Sequence, residues 1–478
     1  MTAPATQATE FVSWREFLSG DHKTALALVS LAVWLHAADS LIVATMLPSL
    51  IADIGGDAYV PWTLSLYEIG SIIAGASSAL VTLKFGLQRP MAVAAALFGL
   101  GCAISAFAPT MGIVLTGRLL QGFSGGGMTA MAFIAVGVFF PKRYMARAMA
   151  CISLIWGTSA FLGPLIGGIF VEVATWRWGF GFFAAQAFAL AIWIALARNI
   201  PDKPATTQAT SIPALRLLLL SGSVLAIAYA GIFVDPLLTP GLIFLGITLL
   251  ALFLYADRRS DPARLLPSQP FNLKTTTGAV LVMLFTLTMA TIAITAYGPI
   301  LVIIIHDATA LTAGYIVACS SIGWTLAAVT VSGSPERNDH RFIALGVTTI
   351  AASILGFLYA VPNGPLWLIA LFAGLEGAGF GMAWTFVLRT VTKHTPEAET
   401  QRISGAIPTT QRLGYAMGAA VMGIVANAMG FSADITPAQA TKIAQTLFLA
   451  CLPFAAVGLI AMICLLRAAN RAPSTTAP

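Results

Sequence analysis

Charged side chains are scarce in this sequence: Asp, Glu, Lys and Arg make up 9% of its 478 residues, whereas hydrophobic residues make up 58%. Soluble proteins contain about 25% charged residues, so this chain cannot form a normal water-exposed surface. The same numbers exclude a disordered chain, because disordered chains are poor in apolar residues. Nucleic-acid binding is disfavoured as well, since the net charge is only +6 and no soluble face can carry a basic stripe. The composition therefore predicts a protein that lies mostly in lipid.

Motifs of metal-dependent and ATP-dependent sites are also missing. The sequence contains no H-E-x-x-H and no phosphate-binding P-loop, and its five histidines are scattered. All five cysteines lie within apolar runs and lack the spacing of a metal site or a disulfide framework. We therefore expect no cofactor and no metal, and the sequence disfavours an enzyme or an ATP-driven pump.

Apolar runs long enough to cross a membrane recur along the chain. A spanning helix needs about 20 apolar residues, and we count fourteen such runs, grouped as six, two and six. We expect an all-α membrane protein with an N-terminal six-helix bundle (25–198) and a C-terminal six-helix bundle (276–467). A linker region with two extra transmembrane helices (199–275) separates them, and residues 1–24 and 468–478 are expected to be cytoplasmic tails.

The distribution of Lys and Arg supports this topology, because these residues collect on the cytoplasmic side of membranes. With the N-terminus inside, 21 of the 25 basic residues fall in predicted cytoplasmic segments. Two fall in outer loops, Arg177 and Lys442, and two within spans, Arg118 and Arg412. The bias predicts a multi-pass protein of the cell membrane with both termini cytoplasmic.

The two six-span groups contain related segments. The fourth span of the first group contains Gln121-Gly122, and the fourth span of the second contains Glu376-Gly377, each followed by further glycines. Two parallel repeats with a binding site at their interface are typical of secondary transporters.

Five ionisable residues lie well inside predicted spans: Asp39, Glu68, Arg118, Glu376 and Arg412. Each costs at least about 2.5–3.5 kcal/mol at the membrane centre, so such residues are either functional or paired for structure. A rise of about 1.5 Å per residue predicts two clusters, Asp39–Glu68–Arg118 and Glu376–Arg412. Since three acids face two bases, one carboxyl group is expected to bind a proton or a cationic ligand.

Several other polar or aromatic side chains within spans have two interpretations. His36 lies three residues before Asp39 on the same helix face, where it either relays protons or bonds to a neighbouring helix. Some aromatic residues either line a pocket for apolar compounds or simply pack: Trp34, Tyr67, Trp156, Tyr297 and Trp384.

These residues resemble motifs of the major facilitator superfamily, with the best match to its fourteen-span drug:proton antiporter branch. Residues 38–48 resemble the first-span motif L-D-x-T-I-V…A-L-P, and Asp39 occupies its acidic position. Arg118, Gln121 and Gly122 resemble R-x-x-Q-G-x-G, whose arginine is assigned to proton coupling in the family.

The fifth span contains Gly163-Pro164-x-x-Gly167-Gly168, which resembles the family motif associated with antiporters. Small residues at every fourth position allow close helix packing, and proline bends a helix. We therefore expect this segment to act as a hinge during conformational change.

The loop between the second and third spans departs from the family pattern G-x-L-a-D-R-x-G-R-R. Leu83 stands where the aspartate is usual, while Gly86 and the basic position of Arg89 are retained. Because that aspartate helps to close the cytoplasmic gate in the family, the departure indicates a divergent subgroup.

The resemblance implies a proton-coupled antiporter that exports small hydrophobic or cationic compounds by alternating access, as in multidrug efflux. Asp39 is expected to carry the proton or face the cation, with Arg118 tuning it and Glu68 as the alternative carrier. Glu376 and Arg412 are expected to form a second-half pair that switches partners or contacts substrate.

Other functions remain open at this point. The first alternative is a proton-driven importer of a nutrient or a metal chelate, and remoter ones are a transporter-like sensor and an intramembrane enzyme. Small molecules, protons and the lipid bilayer are the expected partners. The sequence leaves the oligomeric state open, and a monomer is compatible with it.

Overall fold

The computed structural model describes residues 14–19, 23–140, 142–197, 213–232, 234–260, 264–267, 269–331, 334–393, 397–432 and 434–471. All regular secondary structure in these ranges is helical. Most of the two predicted tails, residue 198 and residues 199–212 of the predicted linker region lie outside the described residues.

Six long helices, preceded by a short one, form the first half of the molecule. They are α1 (Trp14–Ser19), α2 (Lys23–Ile54), α3 (Val60–Phe85), α4 (Gln88–Ala106), α5 (Met111–Phe139), α6 (Lys142–Val173) and α7 (Trp176–Leu196). Glycines set two of the breaks: Gly55 and Gly56 have φ of 67° and 93° between α2 and α3, and Gly86 has φ of 79° after α3. Side chains other than glycine rarely adopt these angles.

A helical hairpin and a second group of helices complete the chain. The hairpin comprises α8 (Ala214–Tyr229) and α9 (Leu238–Arg258). The second half comprises α10 (Thr276–Ala296), α11 (Gly298–His306), α12 (Ala310–Val331), α13 (Asp339–Asn363), α14 (Leu366–Lys393), α15 (Glu397–Ala428) and α16 (Pro437–Arg471). The run 276–305, expected as one span, is broken before Gly298-Pro299 because proline lacks the N–H that would continue the hydrogen bonding.

The two halves share one packing pattern. The second helix packs on the fourth (α3 on α5; α12 on α14), the first on the fifth (α2 on α6; α10 on α15), and the third on the sixth (α4 on α7; α13 on α16). The halves then meet crosswise, α3 against α15 and α6 against α12. We call these contacts the α3–α15 seam and the α6–α12 seam.

The paired glycines of the two repeats occupy equivalent positions in this pattern. A Cβ atom at Gly122 would collide with the backbone carbonyl of Tyr67, and one at Gly377 with that of Ser320. Each glycine thus lets the fourth helix of its half approach the second at backbone distance. The repeat seen in the sequence is therefore a repeat in packing.

The α8–α9 hairpin covers one seam. α8 packs against both α3 and α15, and Trp62 Nε1 donates a hydrogen bond to the Ala228 carbonyl over 3.1 Å. Asn427 at the end of α15 donates from Nδ2 to the carbonyls of Ala58 (2.9 Å) and Gly231 (2.6 Å). The hairpin and both halves are therefore joined at this end of the α3–α15 seam.

Eleven helices of the described chain are long and apolar enough to cross a membrane, and α8 is a shorter apolar helix. The predicted count of fourteen spans is therefore not confirmed. Thirteen of the fourteen predicted runs each coincide with one helix, and the run 276–305 coincides with two, α10 and α11. The helices α3 and α15 fall outside the eleven; they contain many polar residues and carry Glu68 and Arg412.

Candidate functional site

Arg118 of α5 and Asp39 of α2 form a fully enclosed ion pair. Arg118 Nη1 donates to Asp39 Oδ2 over 2.7 Å, and both side chains are 0% exposed. The same nitrogen donates to Gln121 Oε1 over 2.6 Å, and Nε donates to the Thr63 carbonyl over 3.3 Å. The Tyr67 ring lies 4.2 Å from the guanidinium carbon. Removing one member of such a pair leaves a buried, unpaired charge, which typically costs about 3–5 kcal/mol.

Two polar atoms of the Asp39–Arg118 pair make no hydrogen bond to the described residues. Because a guanidinium can only donate, the amide oxygen of Gln121 faces Arg118, and its Nε2 donates to Ser105 Oγ over 3.2 Å. Asp39 Oδ1 and Arg118 Nη2 have no hydrogen-bond partner among the described residues. A proton can therefore bind to Asp39 Oδ1, and a ligand atom beside the pair can accept a hydrogen bond from Arg118 Nη2.

Arg412 of α15 and Glu68 of α3 form a second pair, which crosses the α3–α15 seam. Arg412 Nη1 donates to Glu68 Oε2 over 3.0 Å, and the two side chains are 24% and 17% exposed. Arg412 Nη2 lies 3.1 Å from His36 Nε2. The pair is thus a direct charge contact between the halves that is only partly buried.

His36 and Tyr67 connect the two pairs, and their geometry assigns the histidine tautomer. A guanidinium can only donate, so His36 Nε2, facing Arg412, accepts and carries no proton. The hydrogen of the neutral ring is then on Nδ1, 2.8 Å from the Tyr67 hydroxyl oxygen. The hydroxyl in turn donates to the His36 carbonyl over 2.9 Å. Since the Tyr67 ring also covers Arg118, one chain of contacts runs from Glu68 to Asp39.

The expected pairing of Glu376 with Arg412 is wrong. α15 packs against α3 of the other half, and Arg412 is therefore held by Glu68 and His36. Glu376 is 3% exposed, and its Oε2 has no hydrogen-bond partner among the described residues. The expected cluster of Asp39, Glu68 and Arg118 is likewise divided, because Glu68 bonds to Arg412.

Thr63 and Ser105 were not among the site residues expected from the sequence, and Tyr67 had two interpretations. Thr63 carries no sequence signal, because Arg118 binds its main-chain carbonyl, which any residue supplies. Ser105 carries no such signal, because its contact with Gln121 depends on how α4 packs on α5.

The fifth-span motif lies where α6 meets two other helices. A Cβ at Gly163 would lie 3.1 Å from a backbone oxygen of α2, and one at Gly167 would lie 2.8 Å from an α2 side chain. At Gly168 it would lie 2.7 Å from Leu311 of α12, in the other half. Pro164 lies inside α6. The motif therefore sets how closely α6 approaches α2 and α12.

The loop between α3 and α4 is held without the usual aspartate. Gly86 ends α3 and Arg89 lies in the first turn of α4, while the side chain of Leu83 lies outside the described residues. Gln88 Nε2 donates to two carbonyl oxygens at the end of α7, each over 2.7 Å. An amide thus ties this loop to its own half.

A charged contact is present at the corresponding place in the second half. Asp339 begins α13, after the connection from α12, and its Oδ2 accepts from Arg389 Nε of α14 over 2.8 Å. The equivalent connections of the two halves are therefore stabilised by different chemistry.

Nothing in the described residues resembles a hydrolytic or metal site. The letters G-x-S-x-G do occur at residues 122–126, but Ser124 lies inside α5 and its hydroxyl donates to the Leu120 carbonyl of the same helix. A nucleophilic serine of this motif stands on a strand-to-helix turn. No group of three or more His, Cys, Asp or Glu side chains in the described chain could hold a metal ion.

Two similarly packed groups of apolar helices, which meet at a partly buried ion pair, define a membrane transporter built from two repeats. The sequence profile of the Major Facilitator Superfamily matches residues 29–419 and 283–478. The chain belongs to this superfamily, as the motifs predicted, and its family is one of transporters rather than enzymes.

Relatives of the chain carry names of efflux proteins. A probable multidrug-efflux transporter of Mycobacterium tuberculosis is 30% identical over 433 residues, which cover 88% of this chain and 91% of the relative. An efflux pump of Gibberella moniliformis is 25% identical over 413 residues, covering 84% of this chain and 73% of the pump.

Solved structures share the fold. A POT peptide transporter superposes with a TM-score of 0.68 at 15% identity, covering 94% of this chain and 96% of the other. An inward-facing bacterial homolog of the human lysosomal transporter Spinster gives 0.67 at 14% identity, covering 94% and 97%. At such identities the likeness concerns the fold alone.

Proposed function

We propose that the protein is a proton-coupled antiporter that exports small hydrophobic or cationic compounds by alternating access. The names of the relatives favour efflux. The observation that carries proton coupling is the pair of Arg412 and Glu68, which joins the two halves across 3.0 Å and borders His36. A group that binds a proton at this place would act on the contact that alternating access must change.

The charge balance of the network explains how a proton is exchanged for a cationic compound. With Asp39 and Glu68 ionised, the two carboxylates balance Arg118 and Arg412, and the network is neutral. A proton on Glu68 removes the charge that holds Arg412, which weakens the contact between the halves. A proton and a cationic compound near the same carboxylates repel each other, so binding of one promotes release of the other.

The first pair supplies a second protonation position. A proton on Asp39 would leave Arg118 with Gln121 and the Thr63 carbonyl as hydrogen-bond acceptors. Tyr67 covers Arg118 and bonds to His36, which lies beside Arg412. A proton on Asp39 therefore changes the electrostatics at the contact between the halves through this chain of contacts. Asp39 is the carrier in this proposal, and Glu68 is the alternative.

The membrane orientation completes the proposal: both termini are cytoplasmic in the cell membrane, following the distribution of basic residues. The ends of α3 and α15 joined by Asn427 then face outward. Two six-helix bundles rock about the seams, and the hinge packing comes from Gly163, Pro164, Gly167 and Gly168.

Inside-out membrane vesicles with an acidic lumen test the proposal. Lipophilic cations and neutral aromatic compounds are added while a trapped pH-sensitive dye reports the lumen. We expect at least one compound to dissipate the gradient, and Asp39→Asn to abolish this effect. Glu172→Gln, the same chemical change at an exposed residue of α6, is the matched control.

Three other outcomes would change the assignment of the proton carrier or of the function. If Asp39→Asn still exchanges and Glu68→Gln does not, the carrier is Glu68. If no compound moves protons through the wild-type protein, antiport is rejected. Movement of a compound out of the vesicles together with the protons would support the importer instead.

A further inference from the structure

Glu376 is a buried carboxyl group that the network above does not use. It lies on α14 with 3% of its surface exposed, and Oε2 has no hydrogen-bond partner in the described chain. Among the described residues, the titratable groups that interact with it electrostatically are Tyr415 of α15 and Cys451 of α16. Neither is a base, so the carboxyl group must be neutralised by a bound proton or a bound cation.

The equivalent position of the first half shows what is unusual here. Gln121 stands there, and its amide bonds to Arg118 and Ser105. The second half therefore carries an acid whose Oε2 has no hydrogen-bond partner in the described chain, where the first half carries a satisfied amide. A residue that served packing alone would be matched by polar partners, as Gln121 is.

Aromatic rings follow Glu376 along α14. Phe380 and Trp384 lie four and eight residues further, within a sector of about 80° on the helix. The Trp324 ring of α12 stacks on Phe380 at 5.3 Å between centroids and lies 6.0 Å from Trp384. Both tryptophans are partly exposed. Aromatic faces attract organic cations, most strongly when water is excluded.

The group also lies beside the contact between the halves. Tyr415 interacts electrostatically with Glu376, Glu68 and Arg412, and it lies one helical turn beyond Arg412 on α15. Trp324 precedes Thr325, whose side chain would lie 3.1 Å from a Cβ at Gly157 of α6. Glu376 and its aromatic neighbours therefore border both seams.

We propose that Glu376, Trp324, Phe380 and Trp384 form the recognition site for organic cations, at which the cation displaces a proton from Glu376. The proposal rests on the antiporter function above and adds a stoichiometry to it. The carboxylic acid loses its proton, the carboxylate pairs with the cation, and the proton leaves to water. A neutral compound releases no proton there. Exchange of a cation therefore moves one more proton than exchange of a neutral compound.

The test compares two probes in the inside-out vesicles: tetraphenylphosphonium and a neutral triaryl compound of similar size. Protons released per molecule taken up are counted from the dye and from a radiolabel. In wild-type protein we expect the cation to move one more proton than the neutral probe. Glu376→Gln should remove this difference and weaken tetraphenylphosphonium binding at least about tenfold, about 1.4 kcal/mol. Glu376→Asp should restore part of both.

The controls separate this proposal from the function on which it rests. Glu172→Gln should behave as wild type, and size-exclusion chromatography reports whether Glu376→Gln folds. Equal proton numbers for both probes in the wild type overturn the cation site but leave antiport intact. Unchanged tetraphenylphosphonium binding in Glu376→Gln, with a lower proton count for both probes, makes Glu376 a proton site only and also overturns it. Absence of all proton movement rejects the antiporter itself.

Discussion

Arg412 on α15 and Glu68 on α3 belong to different halves of the molecule, and their side chains meet across 3.0 Å. His36 lies against the other nitrogen of the same guanidinium, so one arginine is shared by two groups of the first half. The ion pair and the histidine must rearrange together whenever α15 moves relative to α3.

Replacing Glu68 by Gln and Arg412 by Gln, singly and together, should reveal an energetic coupling. Each single change leaves one partly buried charge without its partner, whereas the double change removes both charges. We expect the double variant to be more stable than the sum of the single effects by about 0.5–3 kcal/mol. Thermal unfolding in detergent gives the values, and additive effects would mean that the two side chains do not interact.

The tautomer of His36 should differ from that of His306. His36 Nε2 accepts from Arg412 and is unprotonated, whereas His306 Nε2 faces the Val361 carbonyl at 2.8 Å and must donate. Nitrogen NMR on protein labelled in histidine distinguishes the two states. His36→Gln and His306→Gln assign the signals. A protonated Nε2 in both histidines would contradict the contact with Arg412.

Arg118→Lys should fail to replace Arg118 although it retains the charge. The guanidinium uses separate nitrogens for Asp39 and for the Thr63 carbonyl, and a lysine ammonium cannot reproduce this fork. We expect exchange to fall at least about tenfold, about 1.4 kcal/mol, in the vesicle assay. Arg177→Lys, which changes the same residue type at a partly exposed position, is the control and should be closer to wild type.

The paired glycines should be equally sensitive to alanine. A methyl group at Gly122 or Gly377 collides with the backbone of the neighbouring helix, and such overpacking typically costs about 1–3 kcal/mol. At Gly75 of α3 a Cβ meets nothing within 4 Å, so Gly75→Ala should be neutral or stabilising. Melting temperatures of the three variants measure these effects on stability. A neutral effect at Gly377 alone would mean that the two halves are not packed alike.

How much of the site could be predicted depended on whether its contacts were local to one half. The Gln121-Gly122 and Glu376-Gly377 segments predicted two related halves, because a backbone contact requires glycine. Depth along each span placed Asp39 near Arg118, and the structure brings them within 2.7 Å.

The partner of Arg412 was not predictable in this way. Depth gives the height of a residue in the membrane but not the direction in which its side chain points. That direction follows from α15 packing on α3, which is a contact between distant parts of the chain. The break between α10 and α11 had a signal in Gly298-Pro299, but the surrounding apolar run concealed it.

The α8–α9 hairpin makes the two seams unequal towards the surrounding lipid. It lies against α3 and α15, and no described helix of the hairpin packs in the corresponding place against α6 and α12. A compound dissolved in the bilayer that approaches the junction of the halves from the side therefore meets a hairpin on one flank and the transporter itself on the other. The hairpin thus makes the two sides of the molecule different towards the lipid, although the two halves are packed alike.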